Sequence, residues 1–225
     1  MIDKSIEYKN IIMVMDGKAA LAISEPCLPA GFAFRFFAGE EDIAHWCRIE
    51  ASVGEFDSEE QARAHFGKEF GAHLAELKER CVFVVNESGL PVATAMGWFG
   101  DGKGEPVERA CARGSYETSF VQRTNRLHWI SASPYYQGLG LGKAVSQKAV
   151  VICAALSPGE DVWLSTQTWS HRAVVMYNKL GFVMAKSPLE MVEKNSYVED
   201  YDRAIQVLSG VLPREQVEKL VETAL

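Results

Sequence analysis

The chain has 225 residues, of which 48% are hydrophobic and 24% charged, so it can form one large folded domain and is not an intrinsically disordered protein. Its formal net charge of −7 disfavours nonspecific binding to nucleic acid or to an anionic membrane, and weakly favours cationic amine substrates. The five cysteines are far apart and include no Cys-x-x-Cys pair, which argues against a disulfide framework and against a zinc site.

Residues 1–30 are predicted to form an N-terminal arm packed on the main domain. Within them, residues 9–15 have a strand-like pattern and precede a turn at Asp16-Gly17. The apolar run 11–15 is too short for a signal sequence or a membrane span, so we expect a cytoplasmic protein. Residues 31–38 alternate aromatic and small side chains, which predicts the first central strand.

Two helices are predicted next. Residues 40–53 show a helical apolar face that also carries Glu50. A second helix begins at Ser58, which can form a capping box with Gln61, and its buried side is expected to continue to Leu77.

The following segments read as a strand hairpin and a long connection. Residues 81–85 and 92–99 are strand-like and flank an Asn-Glu-Ser-Gly turn. Residues 100–125 are rich in glycine, proline and charge, and a connection of this length within a compact domain is usually functional or mobile.

A strand, a glycine-rich loop, a helix and another strand come next. The strands are residues 127–133 and 162–168, and the helix between them ends near residue 156. Such a unit forms a right-handed crossover between parallel strands. A helix at 170–180, a short strand at 182–185 and two helical patterns in the tail 186–225 complete the chain.

The glycine-rich loop is the strongest candidate for a binding site. Its glycines leave backbone N–H groups free to surround an anion at a helix N-terminus. The spacing matches neither the dinucleotide fingerprint Gly-x-Gly-x-x-Gly nor a P-loop. Instead, Gln137, Gly140 and Gly142 form Gln-x-x-Gly-x-Gly, which resembles the pyrophosphate loop of the GCN5-related N-acetyltransferase (GNAT) superfamily.

A second motif supports the same resemblance. The helix at 170–180 carries Ala173 and Tyr177 and ends in Lys-x-Gly-Phe at residues 179–182, as in GNAT proteins. The two motifs follow in the family's order, and the resemblance covers residues 31–185. It implies a mixed α/β (α+β) fold with a twisted, mostly antiparallel sheet, two splayed central parallel strands and flanking helices. Beyond it, residues 186–225 are predicted to form a C-terminal helical extension.

The resemblance also implies acetyl-CoA as cosubstrate. Its pantetheine arm would lie between the splayed strands and bond to backbone groups of Ile130, Ser131 and Ala132. Its pyrophosphate would bind the loop from Gln137 to Lys143, with Arg172 as a further phosphate contact, although surface charge explains Arg172 and Lys143 equally well. The loop residues concerned are Gln137, Gly138, Leu139, Gly140, Leu141, Gly142 and Lys143.

Proton transfer needs an acid and a base. The resemblance assigns the acid role to Tyr177, and the alternative is an aromatic core residue. For the base, His128 is the first candidate, because some relatives that acetylate aromatic amines have a catalytic histidine there; a hydrogen-bonded buried histidine is the alternative. Glu50 is the second candidate, because burial raises a carboxyl pKa, whereas a Glu at the edge of the apolar face would reach solvent.

Glu55 and Asp57 lie at the junction of the first two helices and are expected to attract an ammonium group or simply to be solvated. We therefore predict direct acetyl transfer to an amine, most simply a small molecule. The alternatives are an alcohol or protein-amine acceptor, or an acyl-CoA sensor without turnover. The apolar stripe of the tail is expected to pack on its own domain or on the second copy of a homodimer.

Overall fold

The computed structural model describes residues 2–101, 107–110, 116–119, 123–192 and 196–225. The helices are α1 (Gly17–Leu21), α2 (Glu40–Ser52), α3 (Glu59–Phe70), α4 (Leu74–Arg80), α5 (Leu141–Leu156), α6 (His171–Leu180), α7 (Ser196–Ser209) and α8 (Arg214–Thr223). The strands are β1 (Asn10–Met15), β2 (Phe32–Phe36), β3 (Cys81–Asn86), β4 (Pro91–Asp101), β5 (Val107–Ala110), β6 (Tyr116–Ser119), β7 (Arg123–Ala132), β8 (Val162–Gln167) and β9 (Val183–Met184).

Seven strands form one sheet in the order β2-β3-β4-β7-β8-β1-β9, and β5 pairs with β6 in a separate hairpin. The β7–β8 pair is parallel, and the other neighbouring pairs of the large sheet are antiparallel. This arrangement confirms the predicted mixed, mostly antiparallel sheet. The parallel pairing runs only from Asn125 opposite Val162 to Leu127 opposite Leu164, so the two strands separate beyond residue 127.

A bulge in β7 accompanies this separation. Met96 of β4 faces His128 and Thr94 faces Ser131, so Ala95 alone stands opposite Trp129 and Ile130. One extra residue on a strand bends it and redirects its side chains. Trp129 adopts a positive φ of 46°, which is an uncommon conformation for an aromatic residue.

Helices cover both faces of the sheet. Along β3, Val82 and Val84 belong to the larger core with α5 and α6, whereas Phe83 belongs to an aromatic core with α2 and α3. This alternation follows from the opposite orientation of successive side chains on a strand. The aromatic core includes Trp46, Phe66, Phe70 and Trp98, and the partly buried Trp129 packs against it.

Four expectations about the fold need correction. The predicted arm contributes β1, which lies between β8 and β9 inside the sheet, and β2 is an edge strand rather than a central one. The second predicted helix is broken at residues 71–73 into α3 and α4, and Leu74 is exposed. The stretch 100–125 includes the β5–β6 hairpin and the start of β7; its remaining part, residues 102–106, 111–115 and 120–122, lies outside the described residues.

The tail forms the two predicted helices and packs on its own domain. Ala204 and Leu208 of α7 and Leu220 of α8 are fully buried in the larger core. The last residue joins this packing through its backbone, because Leu225 N–H donates to the Met184 carbonyl. The domain itself therefore covers the inner part of the tail's apolar stripe, whereas Val211, Val221 and Leu225 are exposed. No helix in the described part of the chain is long and apolar enough to span a membrane.

Candidate active site

The glycine-rich loop borders a cavity of about 500 Å³. The loop leads from β7 through a short 3₁₀ turn, Pro134–Tyr136, into α5. Gly138 and Gly140 have φ values of 82° and 80°, a backbone conformation that glycine adopts without strain. No atom lies within 4 Å of a Cβ built on either residue, so the space above the loop is open.

This loop is suited to hold a phosphate group. It ends at the N-terminus of α5, a 16-residue helix whose first N–H groups have no partners within the helix. The exposed cations Lys143 and Arg172 line the same cavity. Gln137 stabilises the approach to the loop, because its Nε2 donates to the Ala132 carbonyl over 3.0 Å.

Of the predicted cofactor-binding residues, all but Leu139 line this cavity. Leu139 is 48% exposed and does not line it. The lining residues are Ile130, Ser131, Ala132, Gln137, Gly138, Gly140, Leu141, Gly142, Lys143, Arg172 and Tyr177. No described residue of the tail lines it.

A second cavity of about 250 Å³ lies where β7 and β8 separate. Both strands line it, with Glu50 from α2 and Tyr177 from α6. Glu55, Ile130, Ser131, Ser170, Ala173 and Tyr177 line both cavities. The two cavities therefore meet beside Ser131 and Tyr177, and a ligand in one can reach a ligand in the other at this point.

Glu50 is fully buried in this region. Its Oε2 accepts a hydrogen bond from Ser131 Oγ at 2.8 Å, and Oε1 has no hydrogen-bond partner. Burial raises the pKa of Glu50 to about 8; the Ser131 hydrogen bond opposes this increase, and the negative charge of Glu55 adds to it. Glu50 thus does not reach solvent at the edge of the helix face, and it can exchange a proton near neutral pH.

Tyr177 lies at the junction of the cavities and is 5% exposed. Burial, together with the charges of Glu50 and Glu55, raises the pKa of its hydroxyl, so Tyr177 keeps its proton at neutral pH. The ring also packs against Phe182 with a centroid distance of 6.2 Å. The core and acid interpretations of Tyr177 are therefore compatible, since the residue packs in the core and also lines both cavities.

His128 lines the second cavity, and its ring contacts Glu69, a residue that the sequence pattern does not single out. Its Nε2 is 2.5 Å from Oε1 of Glu69 on α3. Burial lowers the pKa of His128 despite this partner, so the ring is neutral at pH 7. Its affinity for a proton is low, and this makes His128 a weaker base than Glu50.

Glu55 and Asp57, between α2 and α3, lie at different distances from the site. Asp57 lines neither cavity, and Glu55 is exposed where the two cavities meet. Trp169 anchors the N-terminal segment, because its Nε1 donates to the Ile6 carbonyl and its own carbonyl accepts from Asp3 N–H. Within the described residues, no group of His, Cys, Asp and Glu side chains is arranged to hold a metal ion.

Comparison with known proteins agrees with this architecture. The Acetyltransferase (GNAT) family matches residues 41–182. No curated protein matches the sequence.

Several solved structures share the fold. A GCN5-related N-acetyltransferase from Sphaerobacter thermophilus is 16% identical with a TM-score of 0.54, over 80% of this chain and 49% of that one. A tandem GNAT protein from the clavulanic acid biosynthesis pathway is 14% identical with a TM-score of 0.53, over 80% of this chain and 51% of that one. A GNAT family acetyltransferase from Colwellia psychrerythraea is 13% identical with a TM-score of 0.51, over 81% of this chain and 55% of that one.

At these identities the similarity concerns the fold alone, and the chain spans about half the length of the structures that it matches. The family match is independent of them and covers more than half of the chain, including both sequence motifs. The chain belongs to the GNAT acetyltransferase family.

Proposed function

We propose that the protein is an acetyl-CoA-dependent N-acetyltransferase that moves an acetyl group directly to the amine of a small molecule. The observation that carries this proposal is the meeting of the two cavities beside Ser131 and Tyr177, with the Glu50 carboxyl in the second cavity. A thioester donor in the first cavity and an amine in the second can come into contact there without a covalent enzyme intermediate.

The larger cavity fits acetyl-CoA. When bound, this cosubstrate supplies an activated acetyl thioester. The loop from Gln137 to Lys143 offers backbone N–H groups and an open surface for its pyrophosphate, and Lys143 and Arg172 add positive charge. Ile130, Ser131 and Ala132 line this larger cavity, and the first two also line the second cavity.

Glu50 is the proposed base. A primary ammonium group has a pKa near ~10.4, and the amine must lose a proton before it can attack. Transfer of that proton to an ordinary carboxylate is uphill by about 8 kcal/mol, but with a carboxyl pKa of about 8 the same transfer is uphill by only about 3 kcal/mol. The unpartnered Oε1 is available for the proton, while Ser131 holds Oε2.

Tyr177 is the proposed acid. Its hydroxyl is protonated at neutral pH, and the residue lines both cavities. The leaving thiolate has a thiol pKa near ~8.5, so donation from a tyrosine is uphill; a local donor can still accompany departure of the sulfur.

The acceptor cavity favours a cationic amine. Glu50 and Glu55 both line it, and each attracts an ammonium group when ionised. A cavity of about 250 Å³ has room for a small acceptor.

The four free cysteines among the described residues suit the reducing cytoplasm, where we propose that the protein acts. A homodimer remains a separate proposal, for which the exposed Val221 and Leu225 of the tail offer apolar surface.

The deciding experiment measures acetyl-CoA binding by calorimetry and thiol release with a panel of small amines, small alcohols and lysine peptides. We expect binding of acetyl-CoA, and turnover with at least one small amine that Glu50→Gln reduces by about 10²-fold or more. Tight acetyl-CoA binding without turnover on any acceptor would favour a sensor. Turnover confined to alcohols or to peptides would refute the small-amine proposal, and no binding of acetyl-CoA would refute the function as a whole.

A further inference from the structure

Glu69 is a partly buried carboxylate that takes no direct part in the proposed reaction. It lies on α3, and only 29% of its side chain is exposed. Its two oxygens contact three nitrogen atoms of other side chains. Oε1 contacts His128 Nε2, and Oε2 contacts Trp129 Nε1 at 3.0 Å and His65 Nε2 at 2.7 Å.

These contacts fix the protonation of His128. Burial raises the pKa of Glu69, but the hydrogen bonds from His128, Trp129 and His65 outweigh this effect and bring its pKa well below the usual range. An ionised carboxylate can only accept hydrogen bonds, so His128 must carry its proton on Nε2. The neutral ring then has an unprotonated Nδ1, which can accept a hydrogen bond or a proton.

The same carboxylate holds the bulge of β7. His128 and Trp129 are consecutive residues, and β7 leaves β8 directly before them. The positive φ of Trp129 is a conformation that persists only where the surroundings enforce it. Besides the hydrogen bond to Glu69, the indole ring of Trp129 packs against Trp46 and Phe56, at centroid distances of 5.2 and 5.4 Å.

We propose that Glu69 is a positioning residue that holds His128 in the Nε2–H tautomer and fixes the indole of Trp129, and so sets the shape of the acceptor cavity. This inference rests on the proposed function insofar as that cavity binds the acceptor. Glu69 does not line either cavity, so its effect on the reaction passes through His128 and the bulge.

The test compares Glu69→Gln with a matched control. A glutamine has one acceptor oxygen in place of two, so it cannot accept from both His128 and Trp129. With its oxygen on Trp129, whose Nε1–H can only donate, its NH₂ group donates to His128 Nε2 and the ring proton moves to Nδ1; with its oxygen on His128, Trp129 loses its acceptor. The control is Glu76→Gln, since Glu76 also contacts a histidine, His73, at 3.3 Å, and lines neither cavity. The readouts are the ¹⁵N shifts of the His128 ring, assigned with His128→Gln, the indole N–H signal of Trp129, and kcat and KM for the acceptor.

In wild type we expect the Nε2–H pattern for His128. In Glu69→Gln we expect the Nδ1–H pattern, a shifted Trp129 signal, and a kcat/KM for the acceptor that falls about 10-fold or more while acetyl-CoA affinity is kept. An Nδ1–H tautomer in wild type, or a Glu69→Gln variant in which neither the His128 spectrum nor the Trp129 signal changes, would overturn the proposal. A changed spectrum with wild-type kcat/KM would limit Glu69 to a structural role and also overturn it.

The spectra separate this proposal from the function itself. If wild type acetylates no amine but shows the Nε2–H tautomer that Glu69→Gln reverses, the proposed function fails and the positioning of His128 stands. If Glu69→Gln does not fold, Glu69→Asp supplies the second variant: a shorter carboxylate keeps the charge, and it should retain the tautomer while weakening the Trp129 hydrogen bond.

Discussion

Glu50→Gln should stabilise the protein at alkaline pH. Below pH 4.5, the ordinary value for Glu, the carboxyl carries its proton in both the folded and the unfolded chain. Between about 4.5 and 8, the unfolded chain releases this proton while the folded protein keeps it. The free energy of unfolding therefore falls as pH rises, by about 1.4 kcal/mol for each pH unit, and the total reaches about 5 kcal/mol above pH 8.

The amide in Glu50→Gln does not titrate, so this loss is absent from the variant. The amide oxygen can still accept the hydrogen bond from Ser131 Oγ. Removing the carboxylate leaves no other buried group without a partner, because Oε1 has no partner in the wild-type protein. Near pH 5 we expect the two proteins to differ by about 1 kcal/mol. Near pH 9 we expect Glu50→Gln to be the more stable by several kcal/mol, while it is the less active.

Urea denaturation of both proteins, at several pH values from about 5 to about 9, measures the difference between their free energies of unfolding. The contributions of groups that titrate equally in both proteins cancel in this difference. Glu40→Gln is the control: Glu40 is an exposed residue of the same helix, and its replacement leaves the buried Glu50 carboxyl in place, so the loss of stability at alkaline pH should be kept. Parallel stability curves for wild type and Glu50→Gln would refute the assignment of a raised pKa to Glu50, and with it the reason for choosing Glu50 as the base.

Three further predictions test other parts of the site. Gly142→Asp should weaken acetyl-CoA binding by about 10²-fold or more in calorimetry, because a like charge beside the pyrophosphate repels it; Gly142→Asn, similar in shape but neutral, should lose much less, and equal losses would contradict a phosphate site. Tyr177→Phe keeps the ring packed and should reduce kcat by about 10²-fold or more with acetyl-CoA affinity unchanged; full turnover would restrict Tyr177 to the core. Leu220→Ala should lower the free energy of unfolding by about 2–5 kcal/mol without changing the Kd for acetyl-CoA, and a weakened Kd in the folded variant would show that the tail affects the cofactor site.

The sequence is most informative where a motif constrains the backbone directly. The loop from Gln137 to Gly142 needs glycine for positive φ and open space, and the structure has both at Gly138 and Gly140. The helical spacing around Glu50 correctly places its carboxyl on the apolar face of α2. Periodicity reports which face of an element is buried, and that was enough to identify an unusual carboxylate.

Partners from distant parts of the chain cannot be read from such patterns. Glu69 contacts His128 and Trp129 across about 60 residues of sequence, and in its own helix it reads as an ordinary polar residue. Likewise, β1 is a continuous apolar run, and nothing local indicates that its partners are β8 and β9. The break at Gly71 is the exception, since a glycine there is a local signal for the end of a helix.

The position of β1 has a consequence for how the chain folds. Its partners in β8 lie about 150 residues later, and β9 follows them. During synthesis, the apolar run from Ile11 to Met15 therefore has no strand partner until most of the chain has left the ribosome. Contacts this distant in sequence slow folding, and an exposed apolar strand can pair with other chains in the meantime. We therefore expect the part of the sheet built from β8, β1 and β9 to assemble last. The acceptor cavity, which β8 lines, is then completed only after β1 has paired with β8.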